Sequence, residues 1–167
     1  GAAARVSVYS GVGTAWVDLN ATAGTFGADT AIDDATGIAV YNGALYVGTG
    51  DPNLANIYRW EPPGTFSVDT TVTNWKKVNN ASGKVVSGDT ANIDAIILKT
   101  YNGRLYAGTQ TQADEDTGAL YEFSGVPGTW TLVNTTRGTF GAETGIHNVS
   151  VMQEYNGTLY VGGGDIA

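Results

Sequence analysis

One eight-residue phrase occurs three times in this chain and restricts its fold more than any other feature. It reads Tyr41-Asn42-Gly43-Ala44-Leu45-Tyr46-Val47-Gly48, then Tyr101-Asn102-Gly103-Arg104-Leu105-Tyr106-Ala107-Gly108, then Tyr155-Asn156-Gly157-Thr158-Leu159-Tyr160-Val161-Gly162, at spacings of 60 and 54 residues. Asn-Gly between two β-rich runs marks a two-residue hairpin, because both central residues of a type I′ turn need positive φ. The apolar runs before it, such as Ile96-Ile97-Leu98, read as buried strands. A second hairpin follows. Ile57-Tyr58-Arg59-Trp60 matches Leu120-Tyr121-Glu122-Phe123 and Val6-Ser7-Val8-Tyr9. Each leads through a glycine-containing turn to a strand opened by tryptophan and closed by asparagine: Trp16 to Asn20, Trp75 to Asn79, Trp130 to Asn134. The loop Gly24-Thr25-Phe26-Gly27-Ala28-Asp29-Thr30 then recurs as Gly138-Thr139-Phe140-Gly141-Ala142-Glu143-Thr144, with a more diverged middle copy from Gly83 to Thr90.

The repeating unit is therefore four short antiparallel strands in about 57 residues, the make-up of a β-propeller blade. With strands named A to D from the centre outward, the chain reads C-D, A-B-C-D, A-B-C-D, A-B. The expected fold is all-β, with three blades and one of them split between the termini. Residues 1–23 carry strands C and D of the split blade, 24–82 and 83–137 one blade each, and 138–167 strands A and B. Propellers need about four to eight blades to close, and an unpaired sheet edge is a liability. The pattern predicts that the split blade is completed by another copy, head to tail, in a ring or a filament. The remainder of a longer propeller is the alternative partner.

Composition agrees with strands and tight turns: 24 glycines, 22 threonines and 9 tyrosines accompany only four prolines. A net charge of −8 and a pI near 4.3 repel a phosphate backbone, which argues against nucleic acid as a partner. No apolar run reaches the ~18 residues of a spanning helix. The absence of cysteine excludes disulfides and thiolate metal sites. A start at Gly1-Ala2-Ala3-Ala4, without Met or a basic-then-apolar leader, is expected of a processed signal peptide or of a piece of a longer chain. With the Thr-, Gly- and Asn-rich, Lys-poor composition, it leads to an expected extracellular or cell-surface location.

On these residues the sequence resembles bacterial and archaeal propellers with YNG-x-LY-x-G repeats, and it is similar to degenerate sialidase-type Asp-box repeats. An Asp box runs Ser-x-Asp-x-Gly-x-Thr-Trp on the turn between strands C and D. Ser124-Gly125-Val126-Pro127-Gly128-Thr129-Trp130 and Ser10-Gly11-Val12-Gly13-Thr14-Ala15-Trp16 keep the serine, glycine and tryptophan but lack the aspartate and are shorter. The middle copy, Trp60-Glu61-Pro62-Pro63-Gly64-Thr65-Phe66, departs further and carries an insertion before Trp75. The resemblance implies a fold and transfers no catalytic residue. Sialidases hold a sugar carboxylate with three arginines, and nothing in the spacing of Arg5, Arg59, Arg104 and Arg137 brings three to one mouth.

Chemical candidates each stand beside an ordinary structural reading. Asp29, Asp89 and Glu143 precede strand A in each copy and read as turn formers, with ligand contact as the alternative. Asp33, Asp34 and Asp94 complete the pool from which a carboxylate pair could be drawn. His147 is the single histidine, so no His-based metal cluster or charge relay forms within one chain. Asp51, Asp114-Glu115-Asp116 and Asp165 offer calcium hard oxygen ligands in the B–C loops, without the spacing of a dedicated calcium loop. Calcium is thus the one cofactor to weigh against solvated acidic turns. Trp16, Trp75 and Trp130, like Tyr46, Tyr106 and Tyr160, recur at one blade position and are expected to pack between blades, with sugar stacking as the alternative. Of five sequons, those at Asn20, Asn80 and Asn134 end strand D and are the expected glycan sites. The sequence as a whole predicts a non-enzymatic extracellular module for assembly or adhesion. A glycan-binding lectin propeller and a fragment of a glycosidase-like propeller are the alternatives.

Overall fold

The computed structural model of the chain describes residues 3–9, 11–61, 74–87, 93–111 and 117–164. Ser10, residues 62–73 (most of the middle turn copy and the insertion before Trp75), Asp89, Asp114-Glu115-Asp116 and Asp165 lie outside the described residues. Every regular element among the described residues is a strand. In chain order these are β1 (Ser7–Tyr9), β2 (Trp16–Asp18), β3 (Asp34–Tyr41), β4 (Ala44–Gly50), β5 (Ile57–Trp60), β6 (Trp75–Lys77), β7 (Ile93–Tyr101), β8 (Arg104–Thr111), β9 (Leu120–Phe123), β10 (Trp130–Leu132), β11 (Asn148–Tyr155) and β12 (Thr158–Gly164).

All pairings are antiparallel. β1 pairs β2; β3 to β6 form a four-stranded meander, β7 to β10 a second, and β11 pairs β12. Single residue pairs join these groups, Gly50 with Ala95 and Asn148 with Gln110. Ten strands thereby form one strongly curled, half-barrel sheet, and β1–β2 stands as a separate pair.

The Asn-Gly hairpins owe their tightness to backbone conformation. Asn42 and Gly43 have φ of 48° and 74°, Asn102 and Gly103 47° and 71°, Asn156 and Gly157 50° and 73°. Two successive positive φ values match the right-handed twist of the flanking strands. The last glycine of each phrase has a different task. A Cβ on Gly48 would lie 2.1 Å from the Ile96 carbonyl oxygen, and one on Gly108 2.5 Å from Val149 Cγ1. Both glycines let the next group of strands approach closely. Among the described residues a Cβ on Gly162 would meet only Val151 of its own hairpin, 2.7 Å from its Cγ1.

A backbone triangle recurs three times between the groups. Ala4 N donates to Ile32 O, Ile32 N to Gly24 O, and Gly24 N to Ala4 O, at 2.8–3.0 Å. Ala55, Ile93 and Gly83 close the same triangle at 3.0–3.2 Å, and Gly118, Ile146 and Gly138 at 2.8–3.0 Å. Each one ties the approach to β1, β5 or β9 to the loop that follows its hairpin and to the approach to β3, β7 or β11. These loop amides are satisfied by one another, which the dry surroundings require.

Packing follows the same order. The main core joins Tyr46 and Ile57 of the first meander to Ile96, Leu98, Leu105 and Phe123 of the second. Tyr41 and Tyr46 meet the Phe123 ring edge-on at 6.1 and 6.0 Å, and Phe123 lies 4.6 Å from Trp130. Burial of rings this large stabilises by roughly 2–3 kcal/mol each. A second cluster seats Ala4 and Val6 against Val47, Tyr58 and Trp75; a third seats Leu120 against Val149 and Met152.

Candidate functional site

Among the described residues the candidate chemical groups are dispersed, and the arginines and Asp29 are engaged. Arg5 pairs with Asp18, Arg59 with Glu61 and Arg104 with Glu122, while Arg137 donates to the Tyr121 hydroxyl and sits 5.5 Å over its ring. Three arginines do not converge. Asp29 accepts from Tyr58 Oη at 2.6 Å and pairs with Lys77 Nζ at 2.9 Å. Burial first, and then the bond to Asp29, push the Tyr58 phenol far above its ordinary pKa, so it stays a proton donor in this bond. Glu143 forms a local backbone bridge with Phe140, the same one that Asp29 forms with Phe26. Asp34 opens β3, and Asp94 Oδ1 accepts from Asn53 N at 2.6 Å. Asp51 is held above the ordinary carboxyl pKa by desolvation first and by the charge of Asp33 second. The His147 carbonyl accepts from Thr111 Oγ1 at 3.1 Å, and its amide donates to Gly164 O at 3.1 Å. Among the described residues no three His, Asp or Glu side chains are grouped to hold a metal.

The strand-ending asparagines form a repeated latch. Asn20 Oδ1 accepts from Val6 N at 2.8 Å, and its Nδ2 donates to Thr25 O at 2.7 Å. Asn134 Oδ1 accepts from Leu120 N at 3.0 Å, with Nδ2 directed to Thr136 O and Thr139 O. In the middle copy the latch is Asn79, which accepts from Ile57 N at 2.9 Å and donates to Ala81 O, Lys84 O and Asn56 Oδ1. Asn80 is its exposed neighbour. Asn20 is 3% exposed, which leaves no room for a sugar on its Nδ2 in this arrangement, and Asn134 spends both Nδ2 hydrogens on Thr136 O and Thr139 O. The sequon falls on Asn80, one place past Asn79, the residue that the repeat marks as the end of the strand. The signal for Asn79 was a glycine four residues on, Gly83, matching Gly24 after Asn20 and Gly138 after Asn134.

The recurrent aromatics change environment along the chain. Tyr46 is 3% exposed, Tyr106 half-buried and Tyr160 56% exposed. The tryptophans run the other way: Trp16 is 63% exposed, Trp75 3% and Trp130 6%. β1–β2, β5–β6 and β9–β10 each carry a ring pair at one register position, Tyr9–Trp16 at 4.9 Å, Trp60–Trp75 at 4.9 Å and Phe123–Trp130 at 4.6 Å. Ile38 and Val40 on β3, and Val151 and Tyr155 on β11, are exposed as well.

Two of the open strand edges accompany these bare faces, and they belong to β1 and β12, whose repeat counterparts β5, β9, β4 and β8 are paired on both sides. Among the described residues, β1 pairs only β2, and β12 pairs only β11. A shallow groove of about 290 Å³ runs beside β1, lined by Arg5, Val6 and Ser7 on one side and Ala35, Thr36, Gly37, Ile38 and Val47 on the other. A second, of about 320 Å³, runs beside β12 and is lined by Phe140, Glu143, Ile146, Val149, Val161, Gly162 and Gly163. The arrangement can accept a strand at each end. No protein-family model matches the chain, and no curated protein matches it either.

Proposed function

We propose that this chain is a non-enzymatic β-propeller assembly module, whose two half-built blades are completed by other copies in a ring or filament. The observation that carries the reading is the opposed exposure of recurrent aromatics. The strand-B tyrosines grow bare toward β12, while of Trp16, Trp75 and Trp130 only Trp16, on β2 beside β1, is bare. Every exposed member has a counterpart inside the chain that is buried by the neighbouring blade. Large apolar residues exposed in a contiguous set mark an interaction surface, and free strand edges invite pairing. Engaged arginines, and carboxylates that are dispersed among the described residues, favour a structural role over a hydrolytic one. Display at the cell surface or outside the cell, in an adhesive layer, belongs to the same proposal and rests on composition. No cofactor is invoked. Sedimentation velocity over a wide concentration range tests the reading. Species at multiples of 17.3 kDa are expected; a compact monomer persisting at high concentration would overturn it.

A further inference from the structure

Building on the assembly reading, we infer the register and the orientation of the contact: β12 of one copy pairs antiparallel with β1 of a second, Gly162 opposite Val6, Val161 opposite Ser7 and Tyr160 opposite Val8. The chain makes this junction twice within itself. β4 meets β5 with Gly48 opposite Ile57, Val47 opposite Tyr58 and Tyr46 opposite Arg59. β8 meets β9 with Gly108 opposite Leu120, Ala107 opposite Tyr121 and Tyr106 opposite Glu122.

Two independent alignments carry these pairs to the open edges. The Tyr-Asn-Gly turn sets Gly162 equal to Gly48 and Gly108. The asparagine latch sets Val6 equal to Ile57 and Leu120, since each amide donates to the latch oxygen of its own hairpin. Pairing with the outer strand agrees, for Tyr9 faces Trp16 as Trp60 faces Trp75 and Phe123 faces Trp130. The two grooves described above then become the two sides of one junction: the groove beside β1 receives β12, and the groove beside β12 receives β1.

Both faces of the joined sheet find cover in this register. On one face the second copy's Tyr9–Trp16 pair lies over Tyr101 and Tyr106 of the first, as Phe123–Trp130 lies over Tyr41 and Tyr46 within the chain. On the other, Tyr155 and Tyr160 of the first copy cover the second copy's Ile38. Its internal counterpart Leu98 is buried in the cluster that holds Tyr46. The occupant is a second copy of this chain, whose unpaired β1 carries the spacing of latch and ring pair that satisfies edge and faces together.

The chain lacks cysteine, so single thiols report the register directly. Ser7→Cys and Val161→Cys are made separately, checked by circular dichroism for retained strand content, mixed and oxidised. Facing residues of antiparallel strands have Cα atoms about 4.5–5.5 Å apart, within disulfide reach. The expected product is a mixed dimer that forms at least about tenfold faster than with Thr158→Cys in place of Val161→Cys. Trp16→Ala is expected to weaken association at least about tenfold without changing the unfolding of the dilute chain. Oligomers that persist without the Ser7–Val161 link, or that link faster at Thr158, would overturn the register while sparing assembly. An unmodified chain that never self-associates would overturn both.

Discussion

The hairpins β1–β2 and β9–β10 are built alike and live differently. Both carry a ring pair across the same register position, both end in a latching asparagine, and both close the same backbone triangle. Phe123 and Trp130 are buried because β3 and β4 lie against them, and the Trp130 indole donates to Val78 O at 3.0 Å. Tyr9 and Trp16 have no such neighbour among the described residues and face solvent. Local sequence decides the shape of the hairpin. The adjoining sheet decides whether its aromatic face is core or surface.

The largest test of this contrast is the tryptophan pair. Trp130→Ala empties a packed ring site and removes a buried hydrogen bond, with an expected loss of about 3–5 kcal/mol in urea unfolding. Trp16→Ala, measured on the dilute chain, is expected to change stability by less than about 0.5 kcal/mol. Equal losses at the two positions would erase the distinction between covered and open hairpins.

The latch gives a sharper contrast between adjacent residues. Asn79→Ala leaves the Ile57 amide and two loop carbonyls without their partner, at an expected cost of about 2–3 kcal/mol. Asn80→Ala is expected to stay within about 0.5 kcal/mol. Thermal melts of the two variants rank them. A larger effect at Asn80 would reassign the middle latch.

Close approach is next. Gly48→Ala sets a methyl against the Ile96 carbonyl and is expected to cost about 1–3 kcal/mol. Among the described residues Gly162→Ala meets only the side chain of Val151, and it is expected to cost less in the dilute chain than in the assembly, as denaturant midpoints at two concentrations would reveal.

The smallest expected effect is a pH slope at the open hairpin. The Asp18 carboxyl lies below its ordinary value of 3.8, chiefly through the hydrogen bond from Ser7 and further through Arg5. A lowered folded-state pKa contributes stability above about pH 3.8, and that contribution is lost as pH falls through the folded value. Ser7→Ala is therefore expected to lower Tm slightly at pH 7 and to converge with the parent near pH 2. Exposure of the pair keeps the difference small.

Strand order and hairpin turns were legible in the sequence because Asn-Gly has few conformations that suit it and because the phrase recurs. Asn20, Asn79 and Asn134 were visible as strand endings, but their hydrogen bonds were not, since the partners Val6, Ile57 and Leu120 lie 14, 22 and 14 residues away. The sequon pattern answers to an enzyme's recognition rule, which says nothing of burial. Burial of the tryptophans was illegible for a different reason. Thr14-Ala15-Trp16 and Gly128-Thr129-Trp130 look alike locally, and only the neighbouring sheet separates them. The bulges at Thr36, Asp94 and Ser150 leave no sequence mark, since no glycine or proline occupies those positions.

Hydrogen–deuterium exchange followed from low to high protein concentration addresses the open edges most directly. If copies complete one another's sheets, amides of 6–9 and 160–163 gain protection as concentration rises, while those of β4 and β8 stay unchanged. Fast exchange of both edge segments at every concentration would contradict the account.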